Sequence, residues 1–231
     1  MEISPGIEII DLCLYIKKEH ILVIGDLHLG FEESLNKQGV LIPRIQFKEI
    51  YARIENLLKK LSPQKTILVG DVKHEFSTIS NQEWNNLSRI IKLIKQSSEL
   101  IIIKGNHDTI LKPIAERESA KVVESYTLSN IQFLHGDVIK KPLSKIIIIG
   151  HEHPAISFRG RPTERFKCFL KGKYKKSMLI VMPSFNLISE GSDITRNQPL
   201  SPFLKNANIK SFEVWISQDK IYYFGKVKNI N

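Results

Sequence analysis

The sequence predicts an α/β fold, because two kinds of segment alternate along most of its 231 residues. One kind is short, apolar and rich in β-branched residues, and the other has helical periodicity. Near-continuous apolar runs of four to eight residues that end in turn residues are typical of strands buried on both faces. We predict such strands at residues 21–24, 66–69, 100–103, 131–134, 146–149 and 178–182.

Two segments have the apolar periodicity of an amphipathic helix. Residues 43–61 place their apolar side chains on one face, and Ser62 followed by Pro63 ends that pattern. Ser80 and Glu83 have the spacing of a capping box in front of a second periodic segment. The sequence therefore predicts one helix between the first and second apolar strands and another between the second and third.

The second half of the chain is predicted to be rich in strands. Strands are predicted, without a helix between them, at residues 158–168, 179–182, 212–216 and 221–224. A hairpin is predicted at residues 7–16, and residues 184–210 form a long irregular connection, of the kind that often has a function. At about 150 residues per domain the length corresponds to about 1.5 domains, and we predict one domain over residues 1–231.

Composition excludes several classes of protein. A hydrophobic share of 42% is ordinary for a globular domain and excludes a mainly disordered or collagen-like chain. Cys13 and Cys168 are too few for a disulfide framework, and we predict that both are buried. The first residues lack the basic start and apolar run of a signal peptide, and no segment has the length of a membrane span. We expect a cytoplasmic protein with no membrane partner.

The net charge of +10 predicts anionic partners, because a basic surface concentrates them and speeds their arrival. Nucleic acid, nucleotides and anionic lipid headgroups all fit, and charge alone does not choose among them. Residues 159–176 hold eight basic residues and one acidic residue, Glu164. Aromatic residues are interleaved with them, so the segment resembles a surface that tracks phosphates and stacks unpaired bases. The alternative is a hairpin protected from edge pairing by its lysines, with its aromatic rings packed inward.

Polar residues that could bind a metal follow five of the predicted strands. In chain order they are Asp26 and His28, Asp71, Asn106 with His107 and Asp108, His135, and His151 with His153. Open α/β sheets form their sites where strands end. A single Asp-x-His is more often a turn than a site, but five such pieces in one order favour a site. Carboxylate, imidazole and amide ligands without thiolate suit manganese, iron or zinc.

The order D-x-H, G-D, G-N-H-D, H-G-D, G-H-x-H over residues 25–153 resembles the calcineurin-like metallophosphoesterase family. The resemblance implies a four-layer αββα sandwich, with two mixed β-sheets flanked by helices. It also implies two divalent metal ions at the strand ends, with Mn²⁺ favoured over Fe or Zn²⁺. Residues 70–75, 150–155, 167–170 and 183–185 resemble a narrower subgroup, the SbcD-related nucleases and ligase-associated endonucleases of the DNA damage response.

The resemblance also implies a role for each motif residue. Asp26, His28 and His153 would hold the first ion, Asn106, His135 and His151 the second, and Asp71 would bridge both. His107 would act on the leaving group, and Asp108 beside it would orient its ring. Paired ions need a shared anionic ligand and lower the pKa of a bridging water, which yields a hydroxide that attacks phosphorus. For His74 three interpretations stay open: a substrate contact, a partner of a ligand, or a surface residue.

We therefore predict a two-metal phosphoesterase that hydrolyses phosphodiesters, with nucleic acid as the favoured substrate class. Predicted substrate contacts, besides His74, are Arg159, Arg161, Lys173, Lys175 and Lys176. One alternative is an enzyme that acts on small phosphoesters such as cyclic nucleotides. A second alternative, a non-catalytic interaction module, is disfavoured because His107 and all seven expected ligands are present. A protein phosphatase is disfavoured because the basic surface suggests no peptide groove.

Overall fold

A computed structural model describes residues 1–40, 45–75 and 80–230. Within these residues there are five α-helices. They are α1 (Phe31–Lys37), α2 (Gln46–Leu61), α3 (Asn81–Lys95), α4 (Lys112–Arg117) and α5 (Pro202–Lys205). The predicted helix over residues 43–61 corresponds to α2, and its first two positions lie outside the described residues. The predicted capping box is present at α3, where the Ser80 hydroxyl accepts from the Glu83 amide at 3.1 Å and Glu83 Oε2 accepts from the Ser80 amide at 2.9 Å.

Seven of the described strands form a first sheet, in which spatial order follows chain order. They are β1 (Glu2–Ser4), β2 (Ile7–Ile10), β3 (Cys13–Ile16), β4 (Ile21–Gly25), β5 (Lys65–Val69), β6 (Glu99–Ile103) and β7 (Lys121–Val123). The strands from β1 to β4 pair antiparallel, and those from β4 to β7 pair parallel. The parallel part contains the predicted strands whose carboxyl ends carry polar residues.

The other nine described strands form a second mixed sheet. They are β8 (Tyr126–Leu128), β9 (Ile131–Leu134), β10 (Ile146–Ile149), β11 (Pro154–Phe158), β12 (Arg161–Tyr174), β13 (Ser177–Val181), β14 (Ser192–Asp193), β15 (Glu213–Ser217) and β16 (Ile221–Lys226). β9, β10 and β13 are parallel, whereas β12 pairs antiparallel with β11, β13 and β15. The prediction of one strand over residues 158–168 is wrong, because the chain reverses at residues 159–160 and Phe158 pairs with Arg161.

The two sheets pack face to face around a shared apolar core. Val23 and Ile101 from the first sheet meet Phe133 and Ile180 from the second in this core. Side chains alternate across a strand, so Leu22 and its neighbours on the other face of the first sheet pack against α2, α3 and α4. The outer face of the second sheet is covered by α5 and two 3₁₀ turns. The predicted four-layer sandwich is confirmed, and its second helical layer is thin.

The sandwich brings two sets of strand ends to the same edge. β4, β5 and β6 of the first sheet and β9 and β10 of the second all end beside one another, as the contacts below show. In the part of the chain that the structure describes, no helix is long and apolar enough to cross a membrane. Cys13 and Cys168 are both free thiols in the interior.

Candidate metal site

The turns after the strands hold their polar residues in an unusual backbone conformation. Asp26, His28, Asp71, His151 and His153 have positive φ angles of 40°, 43°, 40°, 63° and 47°. Left-handed backbone costs an L-residue about 1–2 kcal/mol, and Asp and His adopt it more readily than most residues. Such conformations persist where the surrounding structure imposes them, and they concentrate at functional sites. The buried sheets therefore stabilise a set of strained turns at this edge.

Two glycines leave room for the side chains of neighbouring turns. A Cβ atom at Gly150 would collide with the Asp26 carboxylate and lie 3.0 Å from the Val69 carbonyl oxygen. A Cβ atom at Gly70, where φ is +77°, would collide with the His135 ring. The backbone of one turn thus packs directly against the polar side chain of another, which is why glycine stands next to the polar residues in these motifs.

Gly150→Ala is expected to lower kcat/KM for a phosphodiester by about 10²-fold, the loss that about 1 Å of misplacement can cause, because the new methyl group displaces the Asp26 carboxylate. The measurement is steady-state hydrolysis together with metal content. Gly160→Ala is the matched control, since a Cβ atom there meets nothing within 4 Å. Equal activity of the two variants would contradict the close packing described above.

A first group of donor atoms comes from both sheets. His28 Nε2 lies 3.3 Å from His153 Nε2, and His153 Nε2 lies 3.4 Å from Asp26 Oδ1. Asp26 is completely buried, and both of its carboxylate oxygens accept from the His151 amide, at 3.2 and 3.1 Å. Burial and the nearby His153 lower the pKa of His28 to about 3. His28 is therefore a neutral imidazole, the form that binds metals.

A second group lies beside the first. His135 Nε2 lies 2.9 Å from Asn106 Oδ1, 3.2 Å from His151 Nδ1 and 3.4 Å from Asp71 Oδ2. Burial alone would lower the pKa of His135, but the hydrogen bond to Asp71 and the charge of Asp26 raise it to about 9. The two carboxylates thus favour a positive charge at this position.

Asp71 joins the two groups. Its Oδ2 lies 3.4 Å from His135 Nε2 and 3.8 Å from His28 Nε2, and its Oδ1 accepts from the His107 amide at 2.9 Å. Burial opposes ionisation of Asp71, but the hydrogen bond from His135, the charge of His135 and the backbone hydrogen bond from His107 hold its pKa well below its usual range. Asp71 is therefore an ionised carboxylate with one oxygen shared between the groups.

The spacing of these donor atoms fits bound ions. An ion with ligand bonds of about 2.0–2.2 Å separates adjacent ligand atoms by about 2.8–3.1 Å in octahedral geometry and about 3.3–3.6 Å in tetrahedral geometry. Within each group the separations described above run from 2.9 to 3.4 Å. Three-residue subsets of both groups, Asp26, His28 and His153 and separately Asp71, His135 and His151, have all their ligand atoms within 4.8 Å of one another. The structure thus brings the side chains of all seven predicted ligands close together, and their division between two ions stays a prediction.

His107 lies next to the donor atoms with its ring held in one orientation. Its Nδ1 donates to the backbone carbonyl of His74, and its Nε2 lies 3.8 Å from Asp71 Oδ2. A carbonyl oxygen only accepts, so Nδ1 carries the hydrogen and Nε2 is the atom available for proton transfer. The ring is only partly exposed, and its centroid is 5.1 Å from that of His28.

The predicted role of Asp108 needs a correction. One of its oxygens accepts from the amides of Val72 and Lys73, at 3.0 and 3.3 Å, and the other accepts from the Gly105 amide at 2.9 Å. Asp108 therefore ties two turns together, while the carbonyl of His74 orients the His107 ring. Burial and the charge of Asp71 raise the pKa of Asp108 to about 6. Asp108, the sequence neighbour, was expected to hold the His107 ring, but the backbone carbonyl of His74 after β5 does so.

His74 lies in the wall of the site. Its ring packs against Phe31, with a centroid separation of 4.6 Å, and stacks on His107 at 5.6 Å. Burial and the neighbouring His107 lower the pKa of His74. A cavity of about 220 Å³ is lined by these three residues together with His28, His153 and Ser189. A contact between His74 and substrate stays a prediction.

The model of the calcineurin-like phosphoesterase family matches residues 19–206, which is most of the chain. The chain belongs to the calcineurin-like phosphoesterase family. Membership implies a metal-dependent hydrolase of phosphoesters, in keeping with the two donor groups. None of the curated proteins compared with this phosphoesterase matches it in sequence.

Solved structures resemble the phosphoesterase in fold. The nuclease MPE of Pseudomonas putida has a TM-score of 0.69 and 19% identity, with 93% of this chain and 92% of that chain covered. The protein of unknown function AQ665 from Aquifex aeolicus has a TM-score of 0.41 and 18% identity, with 62% and 82% covered. The E. coli phosphoesterase YfcE has a TM-score of 0.41 and 9% identity, with 91% and 94% covered.

Ser184 and Asn186 support the first donor turn of the phosphoesterase. The Ser184 hydroxyl donates to the Asp26 carbonyl at 2.8 Å, and Asn186 Nδ2 donates to the carbonyls of Leu27 and His28 at 3.1 and 3.2 Å. These bonds satisfy backbone groups of the left-handed turn, which the sheet leaves unpaired. The sequence carries no periodic signal that would have assigned either residue to the site.

Lys167 supports the same loop from β12. Its Nζ donates to the Ser184 carbonyl at 2.8 Å and to the Asn186 carbonyl. Burial and the charge of Arg53 lower the pKa of Lys167 to about 7. The sequence groups Lys167 with the basic residues of a phosphate-binding surface, but its amino group binds backbone carbonyls inside the protein.

The five basic residues of that segment that are predicted to contact substrate lie at two separate places. Arg159 and Arg161 flank the tip of the β11–β12 hairpin. Lys173, Lys175 and Lys176 lie at the turn into β13, because Tyr174 pairs with Ser177. β13 runs parallel to β10, whose carboxyl end leads to the donor residues, so this turn is at the opposite end of the sheet. The role of these five residues as substrate contacts stays a prediction, and along β12 they are separated by tens of ångströms at about 3.3 Å per residue.

The aromatic residues of the segment are placed inward. Phe169 and Tyr174 are fully buried, so they offer no ring face to a base. Phe158 and Phe166 contact each other with a centroid separation of 5.4 Å and pack against the core under the second sheet. The inward-packed alternative therefore describes these side chains better than the base-stacking surface.

Proposed function

We propose that the protein is a two-metal phosphodiesterase, working with Mn²⁺ and acting on nucleic acid. The observation that carries the proposal is the pair of donor groups that share Asp71 Oδ2, with Nε2 of His107 3.8 Å from that oxygen. A shared carboxylate is what two ions about 3.5–4 Å apart require. Oxygen and imidazole donors without thiolate suit Mn²⁺, with Fe or Zn²⁺ as the alternatives.

The residues of the site have different proposed roles. Asp26, His28 and His153 would hold one ion, Asn106, His135 and His151 the other, and Asp71 both, as set out above. When bound, such ions supply charge neutralisation at the phosphoryl oxygens and activation of water. His107 Nε2 would hold or deliver the proton that the leaving oxygen needs.

Two observations favour nucleic acid as the substrate. The fold of the Pseudomonas putida nuclease MPE covers 93% of this chain at a TM-score of 0.69. The net charge of +10 attracts a polyanion. The narrower kinship with SbcD-related and ligase-associated DNA repair endonucleases is part of this proposal. The proposal also includes that residues 1–231 act as one domain and that the protein is cytoplasmic. The two free buried thiols support the cytoplasmic location.

Hydrolysis of small phosphoesters such as cyclic nucleotides is the second candidate. The cavity over the donor atoms has a volume of only about 220 Å³, which suits a small ester as well as one phosphate of a polymer. A non-catalytic module is less well supported, because none of the seven donor side chains or His107 has been replaced.

The test is metal-dependent hydrolysis of four substrates by the purified protein: a bis-aryl phosphodiester, an aryl phosphomonoester, and labelled single- and double-stranded DNA. We expect Mn²⁺ to support cleavage of the diester and of DNA, with chelation abolishing both. Activity on the small diester alone would reject nucleic acid in favour of the second candidate. The absence of hydrolysis with Mn²⁺, Fe and Zn²⁺ would reject the enzyme itself.

A further inference from the structure

A groove of about 590 Å³ opens from the side of the first donor group. It shares Phe31, His153 and Ser189 with the smaller cavity over the donor atoms. His153 supplies one of those donor atoms, so a molecule in the groove lies directly beside the site. The volume is within the range of about 300–1,000 Å³ that is usual for small-molecule sites.

Four large apolar residues form part of the lining of the groove. Phe31 and Leu35 come from α1, and Ile188 and Leu200 come from the long connection after β13. Phe31 is half-buried and lies at the junction between groove and cavity. Ser192 and Asn197 add hydrogen-bonding groups to the same lining.

The charged residues of the groove do not favour a phosphate. Both oxygens of Glu152 accept backbone bonds: Oε2 accepts from the amides of Leu200 and Ser201, at 2.9 and 2.8 Å, and Oε1 from Leu200 at 3.3 Å. Arg165 is paired with Glu190, with Nε 3.6 Å from Oε2. The lining has no excess of positive charge, so it suits a neutral planar ring with a polar edge better than an anion.

We propose that this groove binds the nucleobase next to the scissile phosphodiester, with the base stacked on Phe31. The proposal rests on the proposed function, because it assumes a phosphodiester at the donor atoms. A diester has two substituents, and the one on the His153 side extends into the groove. A base has two apolar faces and a hydrogen-bonding edge, which correspond to the apolar residues and to Ser192 and Asn197. The groove then makes the enzyme prefer a nucleotide ester to the same ester without that base.

The test compares substrates with and without a base in wild type and Phe31→Ala. The substrates are the thymidine dinucleoside phosphate, its two analogues with an abasic sugar on either side, and methyl 4-nitrophenyl phosphate. Loss of one stacked base is expected to lower kcat/KM about tenfold. In wild type, one of the two abasic analogues should show that loss, which also identifies the side that occupies the groove.

Phe31→Ala should lower the ratio of kcat/KM for the dinucleotide to kcat/KM for the methyl ester by the same factor, because only the dinucleotide has a base to stack on the ring. On the affected abasic analogue, kcat/KM of the variant should equal kcat/KM of wild type. The base and the ring act as one pair, so removing the second after the first causes no further loss. Tyr223→Ala is the matched control: Tyr223 is an aromatic residue on β16, about half exposed and outside the groove lining. It should leave all these values unchanged.

Additive losses, or an equal loss on the methyl ester, would overturn the proposal. Equal kcat/KM of wild type for the dinucleotide and both abasic analogues would also overturn it. Phe31→Leu keeps an apolar side chain beside His74 without the ring, and it replaces the alanine variant if that variant does not fold. Its metal content should equal that of wild type. Wild type that hydrolyses neither ester with Mn²⁺ rejects the proposed function instead, so the two failures are distinguishable.

Discussion

Replacing Asp71 with asparagine is expected to lower kcat/KM for a phosphodiester by at least about 10²–10³-fold, the effect of losing one preorganised charged group. Asp26 and Asp71 are the carboxylates of the two donor groups, and Asp71 Oδ2 lies within 3.4 Å of His135 Nε2 and 3.8 Å of His28 Nε2. Asparagine keeps an oxygen but removes the charge that offsets repulsion between two divalent ions.

Metal content provides the direct measurement for Asp71→Asn. We expect wild type to bind two Mn²⁺ ions per chain and the variant to bind fewer, with weaker affinity. Asp137→Asn is the control, because Asp137 also follows β9 but supplies no atom to either donor group. Two tightly bound ions in the Asp71 variant, with wild-type turnover, would show that Asp71 does not bridge.

Replacing His107 with glutamine is expected to leave both ions bound and to lower kcat by about 10²–10⁴-fold, the usual contribution of a general acid or base. Nδ1 of His107 donates to the His74 carbonyl, so Nε2 is the atom that can serve the leaving oxygen. The loss should be larger for DNA than for a nitrophenyl ester, because a nucleoside alkoxide is the poorer leaving group and needs the proton more.

The control for His107→Gln is His20→Gln. His20 lies just before β4, at the far end of the first sheet, where its ring contacts the Tyr15 hydroxyl at 3.1 Å. Hydrolysis of both substrates and metal content should be those of wild type. If His107→Gln loses metal in parallel with activity, the residue supports the site rather than the leaving group. Unchanged turnover would refute its assigned role.

Much of the fold follows from local patterns. The apolar runs of β4, β5, β6, β9 and β10 are clear because strands buried on both faces have no polar side. The capping box of α3 is equally local. Local patterns do not predict the short helices α1, α4 and α5 or the reversal at residues 159–160, since each depends on packing against distant segments. Arg161 to Tyr174 forms one strand only because β11, β13 and β15 each pair with part of it.

The candidate site shows the same division. Parallel strands that end in polar residues must bring those residues to one edge, so the seven possible ligands can be named from motif order alone. Their pairing into two groups around Asp71 Oδ2 is visible only in three dimensions, because it joins turns of two different sheets. Asp108 illustrates the limit: adjacency in sequence suggests a contact with the His107 ring, but the backbone geometry points its carboxylate at other amides.

By itself, then, the sequence determined which side chains are available for metal chemistry and which strands deliver them, because burial and strand ends are properties of short segments. The tertiary structure alone decided how those side chains are oriented, that Lys167 faces inward to hold the loop at Ser184 and Asn186, and that a groove runs from His153 past Phe31. These features depend on contacts between residues far apart in the chain, and local propensity carries no information about such contacts.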